Sequence, residues 1–127
     1  MIMITGGAFQ GKREFAKSRF FLTDAEILDC GTCAVSDIAK ARCVCSYELA
    51  VKRLTAENID PLGFTERLGC EIVIMNEIGC GIIPLDRGER EWRELTGRAG
   101  CIIAERADTV YRVCCGIVSV IKGNDEQ

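Results

Sequence analysis

The chain has 127 residues, 48% of them hydrophobic and 28% charged, with a formal net charge of −3. That length and balance predict one folded domain over residues 1–122, followed by a polar tail over residues 123–127. Charges of both signs are interspersed, so no nucleic-acid surface is expected. No apolar run reaches the ~20 residues of a membrane helix, and no leader pattern precedes the first glycines, so a cytoplasmic protein is expected.

The chain holds nine cysteines and no histidine. Without histidine, no mechanism that needs an imidazole base, nucleophile or metal ligand is open to it. In a reducing compartment the cysteines are expected to be mostly small buried apolar side chains. The pairs Cys30-Gly-Thr-Cys33 and Cys43-Val-Cys45 could suggest a metal site, but the second pair has the wrong spacing for a zinc knuckle and there is no histidine to complete one.

Residues 1–5 read as a buried strand. Gly6, Gly7, Ala8, Phe9, Gln10, Gly11 and Lys12 follow, and they fit the first seven positions of the phosphate-binding pattern G-x-x-x-x-G-K-[ST]. Glycines let backbone N–H groups turn in around a phosphate, and the helix behind the loop adds its positive end. The lysine supplies a point charge. The eighth position is Arg13, where a hydroxyl would hold magnesium. Taken alone, the stretch reads either as a phosphate loop or as an ordinary glycine-rich strand-to-helix turn.

A helix is expected from residue 12 to about 22, then a short strand over residues 26–30 that carries Asp29. An acid at a strand end beside a phosphate loop is the Walker B arrangement, which holds magnesium. Asp29 reads equally as that acid or as a turn-initiating aspartate. Residues 36–58 have the composition of one long helix, ended around Pro61 and Gly63. A short helix over residues 64–68 leads to a third strand, residues 70–75. Asn76 and Glu77 close that strand on the edge where α/β sheets bind ligands.

A glycine-rich loop, residues 79–84, comes next. A long amphipathic helix is expected from residue 86 to about 106, with Trp92, Leu95, Ala99, Ile102 and Ile103 as its buried stripe. Residues 110–115 and 117–122 form a strand pair, or one strand bent at Gly116. Strands alternating with helices predict a mostly parallel α/β sheet with helices on both faces.

The run Ile74-Met-Asn-Glu-Ile-Gly-Cys-Gly-Ile-Ile-Pro84 precedes Asp86-Arg87, Arg90, Trp92-Arg93-Glu94-Leu95, Gly97-Arg98 and Ala107-Asp108. It closely resembles the adenosylcobinamide kinase / adenosylcobinamide-phosphate guanylyltransferase family of cobalamin biosynthesis. That family has an N-E-V-G-x-G-I-V-P loop and an R-x-x-R-x-[FW]-R-D-x-x-G-R helix. Thr5 to Lys12 resembles its T-G-G-A-R-S-G-K-S loop, and Asp29-Cys30 with Thr32 resembles its Walker B region.

The resemblance implies a P-loop-type fold, shortened here, that forms homo-oligomers. It implies ATP or GTP as nucleotide, Mg2+ as metal and adenosylcobinamide as acceptor. Gly6, Gly7, Ala8, Gln10, Gly11, Lys12, Arg13 and Asn76 would bind the nucleotide, with Lys12, Asp29 and Glu77 catalytic and Asp29 on the metal.

The departures are equally specific. Only sixteen residues, 13–28, separate Lys12 from Asp29, whereas the family carries its guanylylated histidine in a further segment there. With no histidine, the family's GMP–histidine intermediate cannot form on this chain. The family's G-R-x-N-Q reads Gly97-Arg98-Ala99-Gly100-Cys101 here, without the two amides. Two functions are therefore expected as rivals. One is a nucleotide-dependent kinase of adenosylcobinamide only, and the other is a non-catalytic nucleotide- or corrinoid-binding relative.

Overall fold

The computed structural model describes residues 1–78 and 86–124. The glycine-rich loop read over residues 79–84 and the last three residues of the tail lie outside the described residues.

Six strands form one sheet: β1 (Ile2–Gly6), β2 (Ile27–Asp29), β3 (Cys43–Cys45), β4 (Ile72–Asn76), β5 (Thr109–Cys114) and β6 (Ile117–Lys122). Their order is β2-β3-β4-β1-β5-β6, and every pairing is parallel except β5 with β6. Met3 faces Val73 on one side and Val110 on the other, so β1 lies centrally with its carboxyl end between those of β4 and β5. Ligands of open α/β sheets bind outside such carboxyl ends.

Among the described residues, five α-helices accompany the sheet: α1 (Lys12–Phe20), α2 (Val35–Ile38), α3 (Tyr47–Ala56), α4 (Pro61–Glu66) and α5 (Arg87–Arg106). Alternation along the strands separates two cores. Ile4, Ile74, Tyr111 and Val113 pack with Ala16, Phe15 and Phe20 of α1. Met3, Val44, Val73, Met75 and Val110 pack with Tyr47, Ala50 and Val51 of α3 and with Ala99 and Ile103 of α5. The mostly parallel α/β sheet with helices on both faces is thus present. Among the described residues no helix is long and apolar enough to cross a membrane.

The single helix expected over residues 36–58 is instead three elements, α2, β3 and α3. Cys43, Val44 and Cys45 are all buried between β2 and β4. A three-residue buried strand has no periodicity of its own, so it disappears into a flanking helical pattern. The short helix begins at Pro61 rather than at residue 64, because Asp60 caps it by accepting the Leu62 N–H at 3.1 Å and Pro61 occupies its first turn. Asp86 caps α5 in the same way, accepting from Gly88 N–H at 2.7 Å. The strand-pair reading of the C-terminal stretch holds: β5 and β6 form a hairpin whose turn residues, Cys115 and Gly116, have φ of 52° and 77°.

Four polar contacts at least partly buried fix the helical layer. The Tyr47 and Thr65 hydroxyls lie 2.8 Å apart, and Thr65 also donates to the Pro61 carbonyl. Arg106, in the last turn of α5, donates to the Thr65 and Leu68 carbonyls. Of the cysteines described, none is disulfide-bonded, and Cys30, Cys43, Cys45 and Cys70 are buried. Burial pushes the Cys70 thiol up to about 11 and the Cys43 thiol up to about 12, which keeps both unreactive. Cys101, Cys114 and Cys115 are exposed, unlike the buried majority that composition predicted.

Candidate phosphate-binding site

The loop between β1 and α1 has a backbone that few sequences tolerate. Gly6 has φ 148°, and a Cβ there would lie 2.3 Å from the Val113 carbonyl oxygen. Gly11 has φ 94° and caps α1 without a side-chain hydrogen bond. Phe9 also has positive φ, 59°, with its ring fully exposed. Alternating backbone signs of this kind turn successive N–H groups to one side.

The first backbone bond of α1 runs from the Phe15 N–H to the Gly11 carbonyl, 3.0 Å. The N–H groups of Lys12, Arg13 and Glu14 therefore have no intrahelical acceptor. The β5–β6 turn braces the loop from outside: the Gln10 carbonyl accepts from the Gly116 N–H and its side-chain oxygen from the Cys115 N–H. Gln10 thus shapes the cradle from its rim.

Lys12 is only 6% exposed. Its ammonium donates to the Gly7 carbonyl and makes no ion pair with any other described residue. Burial holds its pKa below the ordinary lysine value, against the pull of the Glu48 and Glu77 charges. A buried cation with no direct ion pair is costly, and an anion entering the cradle reduces that cost. The cradle opens into a cavity of about 390 Å³ whose lining includes Ala8, Gly11, Lys12, Arg13, Ser46 and Asn76.

The structure brings Asn76 and Glu77 to this site. The Glu77 N–H donates to the Gly6 carbonyl at 2.8 Å, joining the end of β4 to the first loop residue. The Glu77 carboxylate receives two bonds from the Arg112 guanidinium, 2.8 and 3.0 Å, which hold its pKa below the ordinary carboxylate value. Asp29 lies elsewhere. It ends β2, the edge strand three places from β1, its side chain accepts from the Gly31 N–H at 2.9 Å, and it does not line the cavity. At ~4.8 Å per strand this is on the order of 14 Å from the loop strand.

Glu48 was missed by sequence reading. It sits in the first turn of α3, 4% exposed, directly after the overlooked strand β3. Its carboxylate accepts the Asn76 backbone N–H at 3.0 Å and the Asn76 side-chain amide at 2.9 Å. With β3 concealed in a helical pattern, nothing in the sequence marked Glu48 as a group at the sheet's carboxyl edge.

Magnesium ordinarily accompanies a nucleotide in this type of loop, held by the loop hydroxyl and a strand-end acid. Arg13 stands where the hydroxyl would be, with its guanidinium 3.1 Å from Asp24 Oδ1 and 3.5 Å from Cys45 Sγ. Each oxygen of Glu48 accepts a hydrogen bond from Asn76, and each of Glu77 one from the Arg112 guanidinium. No group of three or more acidic or thiol donors is assembled among the described residues. With a guanidinium where the loop hydroxyl would be, this donor set does not fit the loop ligand of a magnesium ion. What remains is anion binding by backbone N–H groups, Lys12 and the helix end.

A cobinamide kinase / cobinamide phosphate guanyltransferase family model matches residues 22–121. The match begins beyond the Gly6–Lys12 loop. The chain is 31% identical over 77 residues to the bifunctional adenosylcobalamin biosynthesis protein CobU of Escherichia coli K12, covering 60% of this chain and 42% of that protein. It is 39% identical over 51 residues to the protein of the same name from Salmonella typhimurium LT2, covering 40% of this chain and 28% of that protein. The aligned stretches thus span less than half the length of these curated relatives. With a family match over 22–121, and a parallel sheet that carries Asn76 and Glu77 beside a glycine loop, this chain belongs to the cobinamide kinase / cobinamide phosphate guanyltransferase family.

Proposed function

We propose that the Gly6–Lys12 cradle binds the phosphates of ATP or GTP, and that the chain acts as a phosphotransferase on the hydroxyl of adenosylcobinamide. The observation that carries the reading is Lys12: an almost fully buried lysine at the base of a positive-φ glycine loop, with no direct ion pair among the described residues. In this reading Lys12 and the N–H groups of the loop neutralise the transferring phosphoryl group. Glu77 orients the acceptor hydroxyl and takes its proton as the new O–P bond forms and the bond to the nucleoside diphosphate breaks. Rate enhancement comes from positioning and charge neutralisation.

The guanylyl half of the family chemistry is not part of this proposal, because these 127 residues contain no histidine. A specific observation also favours the rival of a non-catalytic nucleotide binder. Arg13 is engaged by Asp24 and Cys45, and the acids beside the loop already accept hydrogen bonds from Asn76 and Arg112.

Calorimetric titration with ATP and with GTP, each with and without magnesium, separates the readings when run beside Lys12→Ala. Binding lost in the variant, together with phosphorylation of adenosylcobinamide, supports the kinase. Binding lost in the variant without turnover supports the binder. No saturable binding in the wild type overturns both.

A further inference from the structure

Arg13 occupies the loop position at which the phosphate-binding pattern places a hydroxyl. It lies in the first turn of α1 and lines the same cavity as Lys12. Two contacts fix its guanidinium. One nitrogen lies 3.1 Å from Asp24 Oδ1, and the other lies 3.5 Å from Cys45 Sγ. Asp24 ties the side chain to the turn beyond α1. Cys45 ties it to the end of β3, which is also part of the cavity wall.

These contacts place the guanidinium without cancelling its charge. Asp24 is shared, because the same Oδ1 pairs with Lys17 at 2.9 Å. One carboxylate therefore serves two cations. Burial pushes the Cys45 thiol up, so it stays neutral. The planar fork keeps further N–H donors for a second partner, and its shape matches phosphate oxygens.

The rest of the wall does not favour a dication. Among the described residues that line the cavity, Lys12 and Arg13 stand against one acid, Glu14. The one hydroxyl there belongs to Ser46, which directly follows Cys45, so a dication at that hydroxyl would face the guanidinium. Glu48 and Glu77, whose charges act on Lys12, do not line this cavity and already accept bonds from Asn76 and Arg112. In the ordinary loop the metal bridges phosphate oxygens and neutralises them. Here a positioned guanidinium brings positive charge and paired N–H donors to the place of the metal's ligand.

We propose that the cradle takes the metal-free form of a nucleoside polyphosphate, with Arg13 supplying the charge neutralisation that magnesium supplies in the ordinary loop. The inference rests on the phosphate-binding reading and specifies which form of the nucleotide that site accepts. Magnesium then weakens binding, because it withdraws the free nucleotide from solution.

The test is calorimetric titration of the full chain with ATP at constant ionic strength, in EDTA and in graded magnesium, beside Arg13→Ser and Arg13→Lys. Tripolyphosphate serves as a probe without a base. The wild type is expected to bind ATP in EDTA. Its apparent Kd is expected to rise about ten-fold when about nine-tenths of the ATP is held as its magnesium complex, since only the free fraction is competent. Arg13→Ser restores the loop hydroxyl and is expected to invert the order, binding more tightly with magnesium than without. Arg13→Lys keeps the charge and loses the fork, so it is expected to bind more weakly but still to prefer the metal-free form. Wild-type binding that magnesium leaves unchanged or strengthens overturns the inference and leaves the phosphate site standing. That measurement needs no variant, so a variant that fails to fold does not protect the proposal. Metal-free binding unaltered in a folded Arg13→Ser chain overturns the role of Arg13. Binding of neither ATP nor tripolyphosphate under either condition overturns the phosphate reading itself, and the inference with it.

Discussion

The carboxylate of Glu48 holds Asn76 by two hydrogen bonds, one to its backbone N–H at 3.0 Å and one to its side-chain amide at 2.9 Å. This buried clamp joins the first turn of α3 to the end of β4, and so fixes the strand end from which Glu77 reaches the glycine loop. Trp92 of α5 secures the same turn, donating its ring N–H to the Glu48 carbonyl at 2.8 Å. Glu48→Gln replaces one acceptor oxygen with a donor facing a donor. It is expected to cost about 1–3 kcal/mol of unfolding free energy. In a double-mutant cycle with Asn76→Ala by chemical denaturation, the two losses are expected to be strongly non-additive, because they break one contact. Additive losses would show that the clamp carries no energy.

Asp29 gives the complementary prediction. It lies on the edge strand outside the phosphate cavity. Asp29→Asn is therefore expected to leave nucleotide affinity within two-fold of the wild type, a ratio of less than ~0.5 kcal/mol, while Lys12→Ala abolishes it. A loss in Asp29→Asn comparable to that of the lysine variant would restore the Walker B reading of this acid.

The contrast between these two acids shows what the sequence carried. The loop, its lysine, the end of β4 and the hairpin were legible because glycine spacing, apolar runs and a strand-end Asn76-Glu77 leave local marks. Strand β3 left none, since three buried residues between two helices have no period. Missing it hid Glu48, which follows β3, the strand next to the one that ends in Asp29. Thr96 was illegible for a different reason. A threonine on the buried stripe of an amphipathic helix such as α5 looks like ordinary packing, and the lack of a partner for its hydroxyl among the described residues is a fact of three dimensions. The destination of Arg13, paired with Asp24 across the end of α1, is likewise set by tertiary geometry.

Gly6→Ala tests the backbone of the cradle directly. The substituted residue must hold φ 148° and place a methyl 2.3 Å from the backbone oxygen of Val113. Neither β1 nor β5 can retreat without breaking their parallel register. The variant is expected to lose several kcal/mol of stability, about 3 or more from strain and overpacking together, read as a large fall in Tm. A normal Tm would mean that the loop relaxes, and that its geometry is not imposed by the sheet.

The Glu77–Arg112 pair predicts a feature of the acid limb. Arg112 holds the Glu77 pKa below the unfolded carboxylate value of 4.5. The pair's contribution is therefore fully present above 4.5 and is lost as pH falls through the folded value. Both groups are partly exposed, so its size is at most about 1 kcal/mol. Glu77→Gln is expected to flatten the stability–pH curve below 4.5 and to leave the curve above neutrality parallel to the wild type. An unchanged acid limb would show that the pair does not form in solution.

Lys12 carries the last prediction, because function and stability pull on it in opposite directions. Burial lowers its pKa below the ordinary lysine value of 10.5, so the folded chain holds that proton less tightly than the unfolded chain does. Between the folded value and 10.5 the unfolded state binds more protons, and stability rises with pH across that window. Below it, the buried charge is a standing cost. Lys12→Met keeps the length and apolar stem of the side chain and removes the charge. At neutral pH it is expected to be more stable than the wild type by on the order of 1 kcal/mol, although it loses the bond to the Gly7 carbonyl and all affinity for nucleotide. The difference between the two proteins is the quantity to read, since the buried cysteines titrate in the same alkaline range with opposite sign. That difference should shrink as pH approaches 10.5. A Lys12→Met chain that is less stable at every pH would mean that the ammonium supports the loop, rather than waiting for an anion.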